Sequence, residues 1–184
     1  MNPTLEHQLS YVSGYRENRI KVANMVLQNK AIFPELLDLC FAENKELSHK
    51  ACWVTEFVCK SELDILFPQL KYFIKNLPTL TNDSSIRPMA KICELLCESY
   101  FQKKNKETIS HLTNPILEQL TETNFDWLIS DAKVATKAYA MRNLYFLGKK
   151  YDWIYPELKP ILLKDMPNHS SAYKARARHI LNKI

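Results

Sequence analysis

Basic side chains recur at regular places along the chain, and they are the residues best suited to recognising a ligand. Five lysines each lie within two residues of an alanine that recurs along the chain: Lys21, Lys50, Lys91, Lys137 and Lys174. Arginines follow nearby at Arg87, Arg142, Arg176 and Arg178. Lysine and arginine bind carboxylates and phosphates, arginine with a planar, bidentate fork. The sequence therefore predicts a basic surface for an acidic protein segment or a nucleic acid.

The candidate partner-binding residues are Lys50, Arg87, Lys91, Lys137, Arg142 and Lys174. Two acidic residues, Glu56 and Glu94, fall within the same segments and interrupt the row of positive charge. Charged residues on a helix face are usually solvated or paired with a neighbouring acid. A row of solvated lysines without a partner is therefore the alternative interpretation.

Residue types that serve catalysis or metal binding form no recognisable motif. Cysteines occur at 40, 52, 59, 93 and 97, with no C-x-x-C spacing, and the sequence holds no G-x-S-x-G or H-E-x-x-H. Cys93 and Cys97 could share one face of a helix, but no H-x-x-x-H pair matches them. We expect no catalytic, cofactor or metal site, and we expect buried, reduced thiols.

Composition is that of an ordinary soluble protein. The 184 residues carry a formal net charge of +5, are 46% hydrophobic and include only two glycines, Gly14 and Gly148. Two glycines cannot build a phosphate-binding loop. The polar start, the absence of a long apolar run and the cysteine usage predict one cytoplasmic domain over residues 1–184.

Two Asp-Trp pairs, Asp126-Trp127 and Asp152-Trp153, each follow an aromatic residue. A tryptophan beside an aspartate could stack on a nucleobase and activate water. More often the tryptophan fills a gap between helices and the aspartate caps the next helix. We favour the packing role for both pairs, and we expect Trp53 to lie in the core.

A proline-centred phrase occurs four times. The copies surround Pro34, Pro68, Pro115 and Pro156, with spacings of 34, 47 and 41 residues. Proline is tolerated in the first turn of a helix, where its missing N–H would be unpaired anyway. Each copy therefore predicts the beginning, or a kink, of the first helix of a helical hairpin.

A second phrase follows each proline and ends in an alanine. The alanines are Ala51, Ala90, Ala138 and Ala175, with an earlier copy at Ala23. A small side chain allows close helix packing, so each alanine marks the second helix of a hairpin. The predicted helices span 3–12, 16–28, 31–43, 46–60, 62–77, 85–103, 106–121, 132–149, 152–165 and 169–183, with a short extra turn near residues 123–127.

The two phrases together resemble the HEAT-repeat family, whose repeats have a proline in the first helix and Val-Arg-x-x-Ala opening the second. Ile86-Arg87-Pro88-Met89-Ala90 matches this pattern, whereas the other copies keep the alanine and lose the arginine. The resemblance implies a right-handed α-α solenoid of four to five hairpins. The second helices would then line the concave face. A non-repetitive helical bundle is the alternative fold.

The sequence is also similar to small bacterial helical-repeat proteins often labelled adenylosuccinate lyase. The phrases Lys50–Trp53, Arg87–Lys91 and Lys174–His179 carry that similarity, but the Ser-Ser-x-Met-Pro-x-Lys-x-Asn loop of that enzyme superfamily is absent. HEAT-like DNA glycosylases for alkylated bases share the architecture, but no catalytic residue can be carried over. We expect a non-catalytic protein-interaction scaffold, with nucleic-acid binding or DNA repair as the alternative and lyase activity not expected.

Overall fold

The structure is a computed structural model that describes residues 4–184, and its regular secondary structure in that range is entirely helical. The α-helices are α1 (Leu5–Ser10), α2 (Arg16–Gln28), α3 (Phe33–Cys40), α4 (Lys45–Ser61), α5 (Leu70–Asn76), α6 (Asp83–Phe101), α7 (Lys106–His111), α8 (Asn114–Ile129), α9 (Val134–Leu147), α10 (Ile154–Asp165) and α11 (Ser171–Leu181). Short 3-10 segments span Lys30–Ile32, Leu63–Gln69, Leu77–Thr79 and Met166–Asn168. The predicted all-α fold is confirmed.

Proline marks the beginnings of helices, as predicted. Pro34 and Pro115 lie in the first turns of α3 and α8, and Pro156 lies in the first turn of α10. Pro68 lies inside the 3-10 segment that leads into α5. Proline fits the three first turns because a first turn has no partner for the N–H that proline lacks.

Two predicted helices differ from the structure. The helix predicted over 62–77 begins as the 3-10 segment Leu63–Gln69 and becomes α-helical only at Leu70, and the helix predicted over 106–121 is divided. Residues 106–121 form parts of two helices, α7 and α8, with the break at Leu112 and Thr113. Pro115 explains the break, because a proline clashes with the preceding turn and removes a helical hydrogen bond. The helix that restarts there continues to Ile129, so the predicted extra turn near residue 125 belongs to α8.

The first compact unit, residues 1–92, is organised around α4. This helix packs against α1, α2 and α3. Asn44 caps it by accepting hydrogen bonds from the backbone N–H groups of Glu46 and Leu47. The face of α4 that is buried in this way includes Ala51, Cys52, Val54, Val58 and Cys59.

The second compact unit, residues 93–184, is organised in the same way around α9, and the chain passes from one unit to the other within α6. α9 packs against α8, α10 and α11. Gly148 follows α9 directly, and a Cβ atom there would lie 2.1 Å from Cε1 of Tyr155. A larger residue at position 148 would therefore force the Tyr155 ring to move.

The alanine of the second phrase is buried in the first unit but not in the second. Ala51 and Ala90 are fully buried, as predicted, whereas Ala138 is half-buried and Ala175 is exposed. The buried small residues of the second unit lie two positions later, at Ala140 and Ala177. In α11 the reason is the wider apolar pattern, since the buried residues there are Tyr173, Ala177 and Ile180.

No helix within residues 4–184 is both long and apolar enough to cross a bilayer.

Candidate functional site

A groove of about 540 Å³ lies within the first unit, between residues of α2, α4 and α6. Four basic side chains line it: Arg16, Arg19, Lys60 and Arg87. Glu56 is the acidic residue of its lining, and Phe57 contributes an aromatic ring. We call this feature the cationic groove.

Glu56 holds two of the four cations in place. Its side chain is only 3% exposed, and its carboxylate accepts hydrogen bonds from Lys60 Nζ and, at 3.3 Å, from Arg87 Nη2. Lys60 lies one helical turn after Glu56, whereas Arg87 comes from α6. A buried carboxylate requires such partners because burying an unpaired charge is costly.

Arg19 is fixed by contacts on its edge and on its flat face. Its Nε donates to the backbone oxygen of Ser13 at 3.1 Å, and its Nη2 donates to that of Gly14 at 3.2 Å. The guanidinium carbon lies 4.1 Å from the centre of the Trp53 ring. Burial, and then the nearby charge of Arg87, lower the pKa of Arg19, although an arginine remains charged at neutral pH.

Trp53 is a platform rather than the core residue that we expected. It is half-buried, and its indole Nε1 donates to the backbone oxygen of Ser84 at 3.0 Å. The His49 ring packs against it, with 4.7 Å between ring centres. These contacts fix the ring on which Arg19 stacks, an arrangement that favours a cation.

Phe57 has a similar relation to two basic side chains of the groove, Arg16 and Lys60. The Arg16 guanidinium lies 5.9 Å and the Lys60 ammonium 5.2 Å from the centre of the Phe57 ring. Both distances fall within the range of cation–π attraction. Aromatic rings thus offset part of the repulsion among the basic side chains.

The charge balance of the cationic groove favours an anionic ligand. Four basic side chains face one carboxylate, which leaves an excess of three positive charges. Charges lining a concave surface raise the local concentration of an oppositely charged ligand and speed its association. The groove can therefore bind carboxylates or phosphates.

Of the predicted partner-binding residues in the first unit, Arg87 lines the cationic groove. Lys50 instead donates to the backbone oxygen of Ser10 at 3.1 Å and to Glu46 at 2.9 Å. Lys91 is half-buried on α6. The surface expected from the spacing of alanines thus overlaps the groove at one residue.

Two of the three predicted residues of the second unit, Lys137 and Arg142, lie close to acidic groups. Lys137 is buried, with its Nζ 3.9 Å from Asp165, and Lys174 is half-buried. The Arg142 Nε lies 3.1 Å from an oxygen of Glu94, and its Nη2 donates to Glu98. These pairs agree in part with the alternative interpretation, in which such residues pair with neighbouring acids.

Sequence reasoning missed Arg16, Arg19 and Lys60, because none of them belongs to the repeated phrases. One readable signal was the spacing of Glu56 and Lys60, since residues four apart share a helix face. The contribution of α2 had no comparable signal. Its place beside α4 depends on helix packing.

The Asp-Trp pairs differ from each other and from the prediction. Trp127 is buried, as expected, but Asp126 is exposed within α8 and caps no helix. Trp153 is 54% exposed and stacks on Phe125, with 5.7 Å between ring centres. Asp152 makes no capping hydrogen bond to α10, so the predicted capping role is wrong for both aspartates.

All five cysteines are free and buried, as predicted. Burial raises the pKa of the thiols at Cys52, Cys59, Cys93 and Cys97. Such thiols are poor nucleophiles, since the thiolate is the reactive form. Within residues 4–184, no group of three or more histidine, cysteine, aspartate and glutamate side chains is arranged to hold a metal ion.

Comparison with known proteins gives one match. No curated protein and no solved structure matches the chain. A family model described as HEAT repeat domain matches residues 6–184, which is nearly the whole chain. Together with the helical architecture of residues 4–184, this match shows that the fold is that of an all-α solenoid and that the chain belongs to the HEAT repeat family.

Proposed function

We propose that this protein is a non-catalytic interaction scaffold that binds an acidic segment of a partner protein in the cationic groove. HEAT repeats are in general protein-interaction scaffolds, which supports the class of function. One observation carries the choice of site and ligand: four basic side chains and a single buried carboxylate line a groove of about 540 Å³.

Binding would depend on charged side chains that are already held in position before the ligand arrives. Arg19 is held by two backbone oxygens and by Trp53, and Arg87 is held by Glu56. Side chains that are already fixed lose little conformational entropy when a ligand arrives. Complementary charge also speeds the encounter and rejects basic partners.

An acidic peptide supplies carboxylates to the four basic side chains of the groove, and the HEAT-repeat match supports a protein partner. The phosphate backbone of a nucleic acid supplies acceptors of the same kind. Nucleic-acid binding is therefore the second outcome to test.

Fluorescence anisotropy of a labelled ten-residue polyglutamate peptide tests the proposal, with polyglutamine as the neutral control peptide. Arg16→Glu is the informative variant, because Arg16 is exposed at the start of α2, where an acidic residue is compatible with the helix. Lys71→Glu is the matched control, because Lys71 is exposed on α5 and the substitution changes the net charge by the same amount.

We expect saturable binding of polyglutamate that Arg16→Glu weakens by about tenfold or more and Lys71→Glu by less than about threefold. Binding that is absent, or that both variants weaken equally, would contradict the proposal. Duplex DNA is the competing ligand. Tighter binding of DNA, with a steep loss of affinity as salt rises, would assign the groove to nucleic acid instead.

Further contacts with the partner are proposed for Lys50, Arg87 and Lys91 in the first unit and for Lys137, Arg142 and Lys174 in the second unit. Charge reversal of Lys91 or Lys174 tests whether the partner extends beyond the cationic groove. A cytoplasmic location is also proposed, supported by the five free thiols. An assay for adenylosuccinate cleavage should show no substrate-dependent change in absorbance.

A further inference from the structure

A second basic pocket, of about 70 Å³, lies within the second unit between α9 and α11. Its basic residues are Arg142 on α9 and Arg176, His179 and Lys183 on or just after α11. Tyr145 and Phe146 contribute aromatic surface. We call it the α9–α11 pocket.

The spacing of the α11 residues explains why they converge. Arg176, His179 and Lys183 are three and then four positions apart, so they share one face of a helix. Lys183 lies two residues beyond the end of α11, and its backbone N–H donates to the oxygen of Ile180 at 2.8 Å, which continues the turn. Its Nζ lies 5.7 Å from the centre of the Tyr145 ring.

Arg142 completes the pocket from the opposite helix, where it is held firmly. Its Nε lies 3.1 Å from Glu94 and its Nη2 donates to Glu98. The guanidinium carbon lies 5.6 Å from the centre of the Phe146 ring. These two carboxylates offset the charge of Arg142, so the excess positive charge of the pocket comes from α11.

The basic side chains of α11 are not paired with acidic side chains. Within residues 4–184, Arg176, His179 and Lys183 make no ion pair with an acidic residue. A helix C-terminus favours positive charge, which accounts for Lys183. It does not account for Arg176, which lies more than one turn before the end of α11.

We infer that the α9–α11 pocket binds a small oxyanion of the phosphate class, either inorganic phosphate or the phosphoryl group of a monoester. A guanidinium and an ammonium that converge from two sides suit the oxygens of such an ion. The pocket volume of about 70 Å³ is several times the roughly 15 Å³ that a single water needs, so the pocket has room for a small polyatomic ion. The inference is independent of the cationic groove, which lies in the other unit.

Isothermal titration calorimetry of the full chain with sodium phosphate tests the inference. Sodium chloride at the same ionic strength is the control titrant. Arg176→Gln removes the cation that the helix end does not explain. Arg178→Gln is the matched control, because Arg178 is exposed on the same helix and is not part of the pocket. Lys183→Gln is the second variant, at an exposed residue whose change leaves the core intact.

We expect saturable phosphate binding that Arg176→Gln and Lys183→Gln each weaken by about fivefold or more and Arg178→Gln by less than about twofold. Titration with N-acetyl-phosphoserine amide distinguishes the two sources. Tighter binding of this monoester than of inorganic phosphate identifies a phosphoryl group on a larger molecule, and the reverse identifies the free ion. No saturable heat with either compound, or equal losses in all three variants, would overturn the inference.

Discussion

Replacing Glu56 by glutamine removes the negative charge from the cationic groove while keeping the shape of the side chain. The Glu56 side chain is 3% exposed and contacts both Lys60 and Arg87, the latter at 3.3 Å. The variant therefore leaves two cations without their anionic partner. It also leaves Arg16 and Arg19 close to uncompensated positive charge.

The expected loss of stability follows from the burial of the three side chains. Breaking a fully buried ion pair by removing one partner costs about 3–5 kcal/mol. Here the partner side chains are 33% exposed for Arg87 and 38% exposed for Lys60, so water can rehydrate them after the change. We therefore expect Glu56→Gln to lower the free energy of unfolding by about 2 kcal/mol.

Urea denaturation followed by circular dichroism at neutral pH measures this loss. Glu62→Gln is the matched control, because Glu62 also pairs with a lysine, Lys30, but in a more exposed position. The Glu62 side chain is 31% exposed and the Lys30 side chain 54%. An exposed pair contributes little, so the control should lose about 0.5 kcal/mol or less. A double-mutant cycle with Arg87→Gln should give a coupling of about 1 kcal/mol between Glu56 and Arg87.

A Glu56→Gln loss no larger than that of Glu62→Gln would refute the reasoning. It would mean that the buried carboxylate does not hold the two cations. A coupling near zero would lead to the same conclusion for Arg87 in particular, and the preorganisation proposed for the groove would then lose its support.

Further predictions concern packing, buried amides and thiols. Gly148→Ala should destabilise the protein by about 1–3 kcal/mol in a thermal melt, because the added Cβ would overlap the Tyr155 ring. Gly14→Ala is the control and should be neutral in the same melt, because its Cβ would meet no atom within 4 Å. Asn124→Ala should lower the free energy of unfolding by about 2 kcal/mol, because Asn124 Oδ1 accepts a hydrogen bond of 2.9 Å from buried Asn143. Urea unfolding measures this loss. Burial keeps the cysteine thiols protonated in the folded protein, whereas the same thiols ionise above about pH 8.5 in the unfolded chain. The free energy of unfolding should therefore fall as pH rises from 8 to 10. A urea midpoint that stays constant over this range would contradict the prediction. The four thiols with raised pKa values should react with a thiol reagent only when the protein unfolds. They belong to Cys52, Cys59, Cys93 and Cys97.

The sequence alone determined the helical class and most helix beginnings of this protein. These features depend on local chemistry. Pro34, Pro115 and Pro156 fit first turns whatever else the chain does, and residues four apart share a helix face. The repeated phrases were likewise enough to indicate the family that the family model matches.

Only the tertiary structure decided which charges meet. Arg19, Glu56 and Arg87 are far apart in the sequence and come together because α2, α4 and α6 bring them to one groove. The alanine phrase likewise predicted Ala175 as a buried contact, whereas packing buried Ala177 instead. The face that a helix buries is set by the sum of its contacts with neighbouring helices, and a short phrase within one helix does not contain that sum.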